Sequence, residues 1–170
     1  MADPSRPNVI YILGDDHRGE FLGCNGFPVL RTPHLDRLAA EGVRFTNAFC
    51  TSPACTPSRT GHYLGQWERR HGVNFNSESA VAPAAWDESF PMRLKAAGYW
   101  LAWVGKNHVP AGAGGYGSRL FEEVFDYWYG NHGHSGFYPK EMAGPGREVY
   151  GNAAEDTQVE VFAEGAQNAL

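Results

Sequence analysis

The sequence has 170 residues, 42% of them hydrophobic and 19% charged, a length and mix that predict one globular domain. Its 14 basic against 19 acidic side chains give a net charge of -5, which argues against a general nucleic-acid or anionic-membrane surface but leaves room for a local basic pocket. No apolar run reaches the roughly 20 residues of a membrane span. The three cysteines, Cys24, Cys50 and Cys55, are too few and odd in number for a disulfide framework.

The opening residues, Met1 to Pro7, lack the charged start and apolar stretch of a signal peptide. The chain as written is expected in the cytoplasm, or in the periplasm or outside the cell if a leader has been removed. Residues 8–13 form a β-branched apolar run between Pro7 and Gly14, the pattern of a strand buried on both faces in a parallel sheet. Asp15 and Asp16 stand at its C-terminal end. Thr32 and Pro33 then open a helix as N-cap and first turn, with Leu35, Leu38 and Ala39 on one face and Gly42 as its stop. Residues 43–49 read as a second strand.

Residues 51–59 read as a loop entering a helix, and residues 89–97 as a further helix stopped by Gly98. Residues 99–104 are a strongly apolar strand, with Lys106 and His108 just past its end. A glycine-rich loop is expected over 111–117. A dense aromatic, glycine and histidine segment covers 125–138, and a helix with Val159, Phe162, Ala163 and Ala166 on one side covers 156–170. Alternating strands and helices predict an α/β fold, a mostly parallel central sheet flanked by helices, with polar residues where strands end. A doubly wound sheet with so many one-sided elements would usually continue, so residues 1–170 are expected to be a fragment or one part of a longer enzyme.

The sharpest chemical signal is Cys55-Thr56-Pro57-Ser58-Arg59. Pro57 suits a first helical turn, which puts Cys55 at a helix N-terminus, where unpaired N–H groups and the helix dipole favour an anion. Arg59 falls on the same helical face, placed to hold an oxyanion. On the residues alone, the block also fits a half-buried cysteine in a proline-rich turn, or a reactive thiolate. Adjacent aspartates after a strand likewise fit a turn or cap as well as a cation site. His132 and His134 fit a glycine-rich loop, a substrate pocket or a metal site. Tyr127, Trp128, Tyr129, Phe137 and Tyr138 fit either core packing or stacking on sugar rings. Cys24 and Cys50 are read as small apolar residues.

Cys-x-Pro-Ser-Arg resembles the signature of the formylglycine-dependent sulfatases, members of the alkaline-phosphatase-like superfamily. Three further blocks resemble the same family in order and spacing. They are Pro7 to Asp16, the run from Thr32-Pro33-His34-Leu35-Asp36 through Thr46-Asn47-Ala48, and Gly98-Tyr99 through Gly105-Lys106-Asn107-His108. The last block departs from the family's Gly-Lys-Trp-His motif by carrying Asn107.

The resemblance implies a sulfuric ester hydrolase in which a maturation enzyme oxidises Cys55 to formylglycine. The hydrated aldehyde would attack sulfur through one hydroxyl, and loss of the other's proton would expel sulfate. It further implies that Asp15, Asp16 and the residue-55 oxygen bind calcium or magnesium, that Arg59 stabilises the nucleophile, and that Lys106 and His108 hold the sulfate. The substrate would be a sulfated small molecule or glycan. A phosphonate or phosphodiester hydrolase of the same superfamily, or an inactive binding module, are the rival readings. Two aspartates and one oxygen at position 55 fall short of the six or more ligands calcium takes. Residues 1–170 alone are therefore expected to bind metal weakly and turn over little substrate.

Overall fold

The computed structural model describes residues 6–75, 79–115 and 118–131, which fall into two units, Met1–Phe49 and Cys50–Leu170. The expected helix at 156–170, His132, His134, Phe137 and Tyr138 lie outside the described residues.

In the first unit, helix α1 spans Pro33–Glu41 with Thr32 as N-cap and Pro33 in its first turn, as the sequence predicts. The Thr32 hydroxyl does not cap a helical N–H. It accepts the Gly23 N–H (2.8 Å) and donates to the Asp36 carboxylate (2.9 Å), which also takes the Cys24 N–H (2.7 Å). These bonds tie the short 3-10 turn Gly23–Asn25 to the start of α1, and Arg44 adds a bond to the Cys24 carbonyl (2.7 Å).

The strands expected at 8–13 and 43–49 are not formed. Val9, Ile10, Ile12, Val43, Phe45 and Phe49 are all more than half exposed, and no described residue of this unit is buried. A strand needs a neighbour's N–H and C=O groups to complete its ladder. Among the described residues neither run is paired in a ladder. Leu35 and Leu38, the expected inner face of α1, are exposed.

The second unit holds the core. Helix α2 is Cys55–Leu64, α3 is Glu68–His71, α4 is Pro83–Asp87 and α5 is Phe90–Ala96. Strand β1, Ala102–Lys106, is followed by α6, Leu120–Val124, and β2, Tyr127–Asn131. β1 and β2 pair in parallel, Ala102 opposite Tyr127 and Lys106 opposite Asn131. The α/β class is thus present as a parallel pair with helices around it. β1 begins later than the expected 99–104, because Leu101 is occupied by Asp126. The Leu101 N–H donates to the Asp126 carboxylate (2.8 Å), which also meets Lys95 (3.1 Å). That backbone N–H holds the Asp126 carboxyl below its ordinary range, with Lys95 adding to the effect.

Trp103 on β1 sits at the centre of an aromatic cluster. Ring centroids of Tyr63, Phe125, Phe121 and Trp128 lie 5.2, 5.2, 5.3 and 5.8 Å away. Trp86, fully buried, meets Phe121 edge-on at 4.6 Å. Such rings contribute area and a preferred edge-to-face geometry together. They fix α2, through Tyr63, against the strand. Helix α3 folds back onto α2 at Gly61, where any Cβ would lie 3.1 Å from the Gln66 carbonyl oxygen.

His71 ends α3 with Nδ1 accepting the N–H of the buried Val73 (3.1 Å). Burial pushes its pKa down, against a smaller upward pull from Glu68. The fold therefore prefers neutral imidazole, and the unfolded chain takes up the proton first, near pH 6.5. Stability should be full above that pH and decline as pH falls towards the lower folded-state value. In His71→Asn, whose amide oxygen can take the same N–H without titrating, the melting temperature should fall less between pH 7.5 and 5. Equal slopes for the two proteins would remove His71 as the cause. Trp86→Ala should cost about 3–5 kcal/mol in urea unfolding; a loss under about 1 kcal/mol would deny Trp86 its place in the core.

Candidate active site

Ala54 is extended (φ -134°, ψ 152°), and α2 begins at Cys55. The Ser58 N–H bonds back to the Ala54 carbonyl (3.1 Å), closing the first turn. Pro57 brings no N–H, so the donors at this helix end come from Cys55 and Thr56. Thr56, Pro57 and Thr60 are buried, and the Thr60 hydroxyl donates to the Thr56 carbonyl (2.8 Å). The start of the helix is therefore rigid, and Cys55 stands half-buried at its tip.

Lys106 is the last residue of β1. Its Nζ lies 3.4 Å from Cys55 Sγ, 51 residues away in sequence. Arg59, only 5% exposed, donates from Nη1 to the Lys106 backbone carbonyl (2.8 Å). The sequence reading put Arg59 beside the nucleophile to hold an oxyanion. In the structure one guanidinium N–H ties α2 to the end of the strand. His108 is buried two residues beyond Lys106, in a left-handed backbone conformation (φ 48°), after a buried Asn107. Cys55, Arg59 and Lys106 are thus brought together by direct contacts, with His108 on the same short segment as Lys106. The ammonium and the helix end both present positive charge at position 55, the requirement for handling an anionic ester.

Asp15 and Asp16 belong to the first unit, both exposed, with Asp16 left-handed (φ 51°). Adjacent hard carboxylates suit part of a calcium or magnesium site. Among the described residues no group of three or more His, Cys, Asp or Glu side chains gathers, so the pair fits such an ion as a partial ligand set.

Comparison with known proteins decides the family. The family model described as Sulfatase matches residues 7–169, nearly the whole chain. The chain belongs to the sulfatase family. It is 39% identical over 129 residues to an ulvan-active sulfatase of Formosa agariphila, covering 74% of this chain and 24% of that protein. It is 42% identical over 114 residues to an N-acetylgalactosamine-6-O-sulfatase of Bacteroides thetaiotaomicron (65% and 22%) and 40% identical over 115 residues to human steryl-sulfatase (62% and 19%). The chain spans about a quarter of the length of the curated relatives it matches.

In this sulfatase-family chain the aromatic segment divides by face. Trp128 stacks on Trp103 in the core, while Tyr127 and Tyr129 stack on one another at 6.4 Å. Cys50 departs from the apolar reading. It is exposed, and its thiol lies 3.2 Å from the Ser52 carbonyl and 3.3 Å from the Ser58 hydroxyl. Cys24 is half-buried. The link from Arg59 to the Lys106 carbonyl had no sequence signal, since a backbone acceptor is present at every residue. Removing it by Arg59→Ala should cost about 1.5–3 kcal/mol, the range for a hydrogen bond from a charged group. An unchanged urea midpoint would show that the strand end is held by something else.

Proposed function

We propose that the chain is the N-terminal part of the catalytic domain of a sulfuric ester hydrolase, with Cys55 as the residue that becomes the formylglycine nucleophile. The observation that carries this reading is the 3.4 Å approach of Lys106 Nζ to Cys55 Sγ at the start of α2, in a chain of the sulfatase family. The Sγ atom stands where the formylglycine oxygen would be. Formylglycine supplies a nucleophile that can release its own sulfate, which a serine could not.

The remaining roles follow from charge. Lys106 and His108 hold sulfate oxygens, and the helix end adds its N–H dipoles. Arg59 acts by fixing the strand end that carries Lys106 as well as by its charge. Asp15 and Asp16 would contribute to holding a divalent ion, calcium by preference and magnesium otherwise, as the family resemblance implies. Such an ion supplies charge neutralisation for the ester oxygens. The preferred substrate class is a sulfated carbohydrate, in keeping with the names of the Formosa and Bacteroides relatives. Maturation requires a formylglycine-generating enzyme as partner.

Peptide mass spectrometry of the protein from its own cells should find formylglycine at position 55. Cys55→Ala should abolish aryl sulfate hydrolysis, and chelation of divalent metal should reduce it by orders of magnitude. Unmodified cysteine together with no hydrolysis would favour a binding role. Faster cleavage of the matching phosphate diester or phosphonate would shift the assignment to phosphorus chemistry. Residues 1–170 alone should turn over little substrate; activity equal to a full-length relative would overturn the incomplete ligand set inferred for the metal.

A further inference from the structure

The end of β1 and the residues just past it do not relax into an ordinary loop. Gly105 (φ 95°) and His108 (φ 48°) are both left-handed, and for a residue other than glycine that conformation is uncommon and is held by its surroundings. Three hydrogen bonds hold this stretch. Arg59 holds the Lys106 carbonyl (2.8 Å), the Asn107 side-chain oxygen accepts the Val109 N–H (2.7 Å), and the Pro110 carbonyl accepts the Val81 N–H (2.6 Å).

The middle bond differs from the others because it spans His108 itself. A side-chain oxygen bonded to the N–H two residues on is an Asx turn, which substitutes for a backbone turn and stabilises the residue it encloses. Asn107 is 1% exposed and Val109 1%, so this bond is shielded from water. Pro110 further restricts Val109 towards extended backbone. Tryptophan, which the resembling motif commonly carries at this place, offers no acceptor for the Val109 N–H.

We infer that Asn107 is a positioning residue, whose side-chain oxygen closes a turn around His108 and so sets where the imidazole stands relative to Lys106. The inference rests on the reading of His108 as a sulfate contact for its catalytic meaning, but not for the turn. Alanine and serine separate the acceptor from side-chain volume, since serine can form the same turn more weakly.

The full chain, carrying formylglycine, would be compared as wild type, Asn107→Ala and Asn107→Ser. Aryl sulfate kinetics, unfolding midpoints and the NMR signals of the His108 ring would be measured for each. Asn107→Ala should lower kcat by about tenfold or more, since a misplaced group can cost about a hundredfold. KM should stay within about threefold, and the His108 signals should shift; Asn107→Ser should recover most of both. Unchanged kcat and His108 signals in Asn107→Ala, or equal impairment in the serine variant, would overturn the inference. Amide exchange needs no variant that must fold: Val109 N–H should be strongly protected in the wild type, and fast exchange would also overturn it. A wild type that hydrolyses no sulfate ester would remove the functional reading, while the His108 signals would still decide the turn.

Discussion

The bond from Arg59 to the carbonyl of Lys106 joins the two elements on which the rest of the site depends. It runs from the first turns of α2 to the last residue of β1, and the Lys106 side chain runs back to Cys55 at the helix tip. The result is a closed circuit of helix, guanidinium, strand end and ammonium. Neither half needs to be held in place by substrate. A buried guanidinium must find acceptors to offset its lost hydration, and a carbonyl at the end of a strand is short of a donor. Each group therefore satisfies a demand that folding created in the other.

The aromatic cluster around Trp103 makes that circuit reproducible. Tyr63 lies on the inward face of α2 and Trp103 on the inward face of β1, and their rings approach to 5.2 Å. Side chains alternate along a strand, so seating Trp103 in the core turns its neighbours Ala102 and Val104 the other way, and the left-handed Gly105 then resets the direction of Lys106. Packing and that backbone turn thus set the direction from which the ammonium arrives, and hydrogen bonds set the final distance. Close-packed rings transmit displacement poorly tolerated by their neighbours, so the core and the site are mechanically one piece within this unit.

Much of the site was legible in the residue order. Thr32-Pro33 and Gly42 marked both ends of α1, and the Cys55-to-Arg59 block marked the start of α2. Ser89 and Gly98 bracketed α5, because caps, prolines and glycines act through local geometry. The strands were harder to read, because their stability lies in a partner. Residues 8–13 and 43–49 have strand composition without a ladder, whereas Tyr127–Asn131, glycine-containing and aromatic, pairs with β1 in full register. The short helices α3, α4 and α6 give too few residues for a helical period to show. Arg59 was singled out by its motif, yet its acceptor was invisible, since a carbonyl carries no identity. The Asn107 turn could have been read from an asparagine two places before the valine whose N–H it takes.

The exposed β-branched and aromatic runs of the first unit have a consequence for handling the protein. Val9, Ile10, Ile12, Val43, Phe45 and Phe49 present apolar surface, and among the described residues their runs join no ladder. Segments of that kind are templates for pairing between molecules, and no lysine, glutamate or proline interrupts residues 8–13. Colloidal behaviour would then be governed by these runs and not by the modest net charge. Concentrated solutions of residues 1–170 would be expected to associate through β-rich contacts, which dilution, low temperature during synthesis or a charge placed within residues 8–13 would suppress.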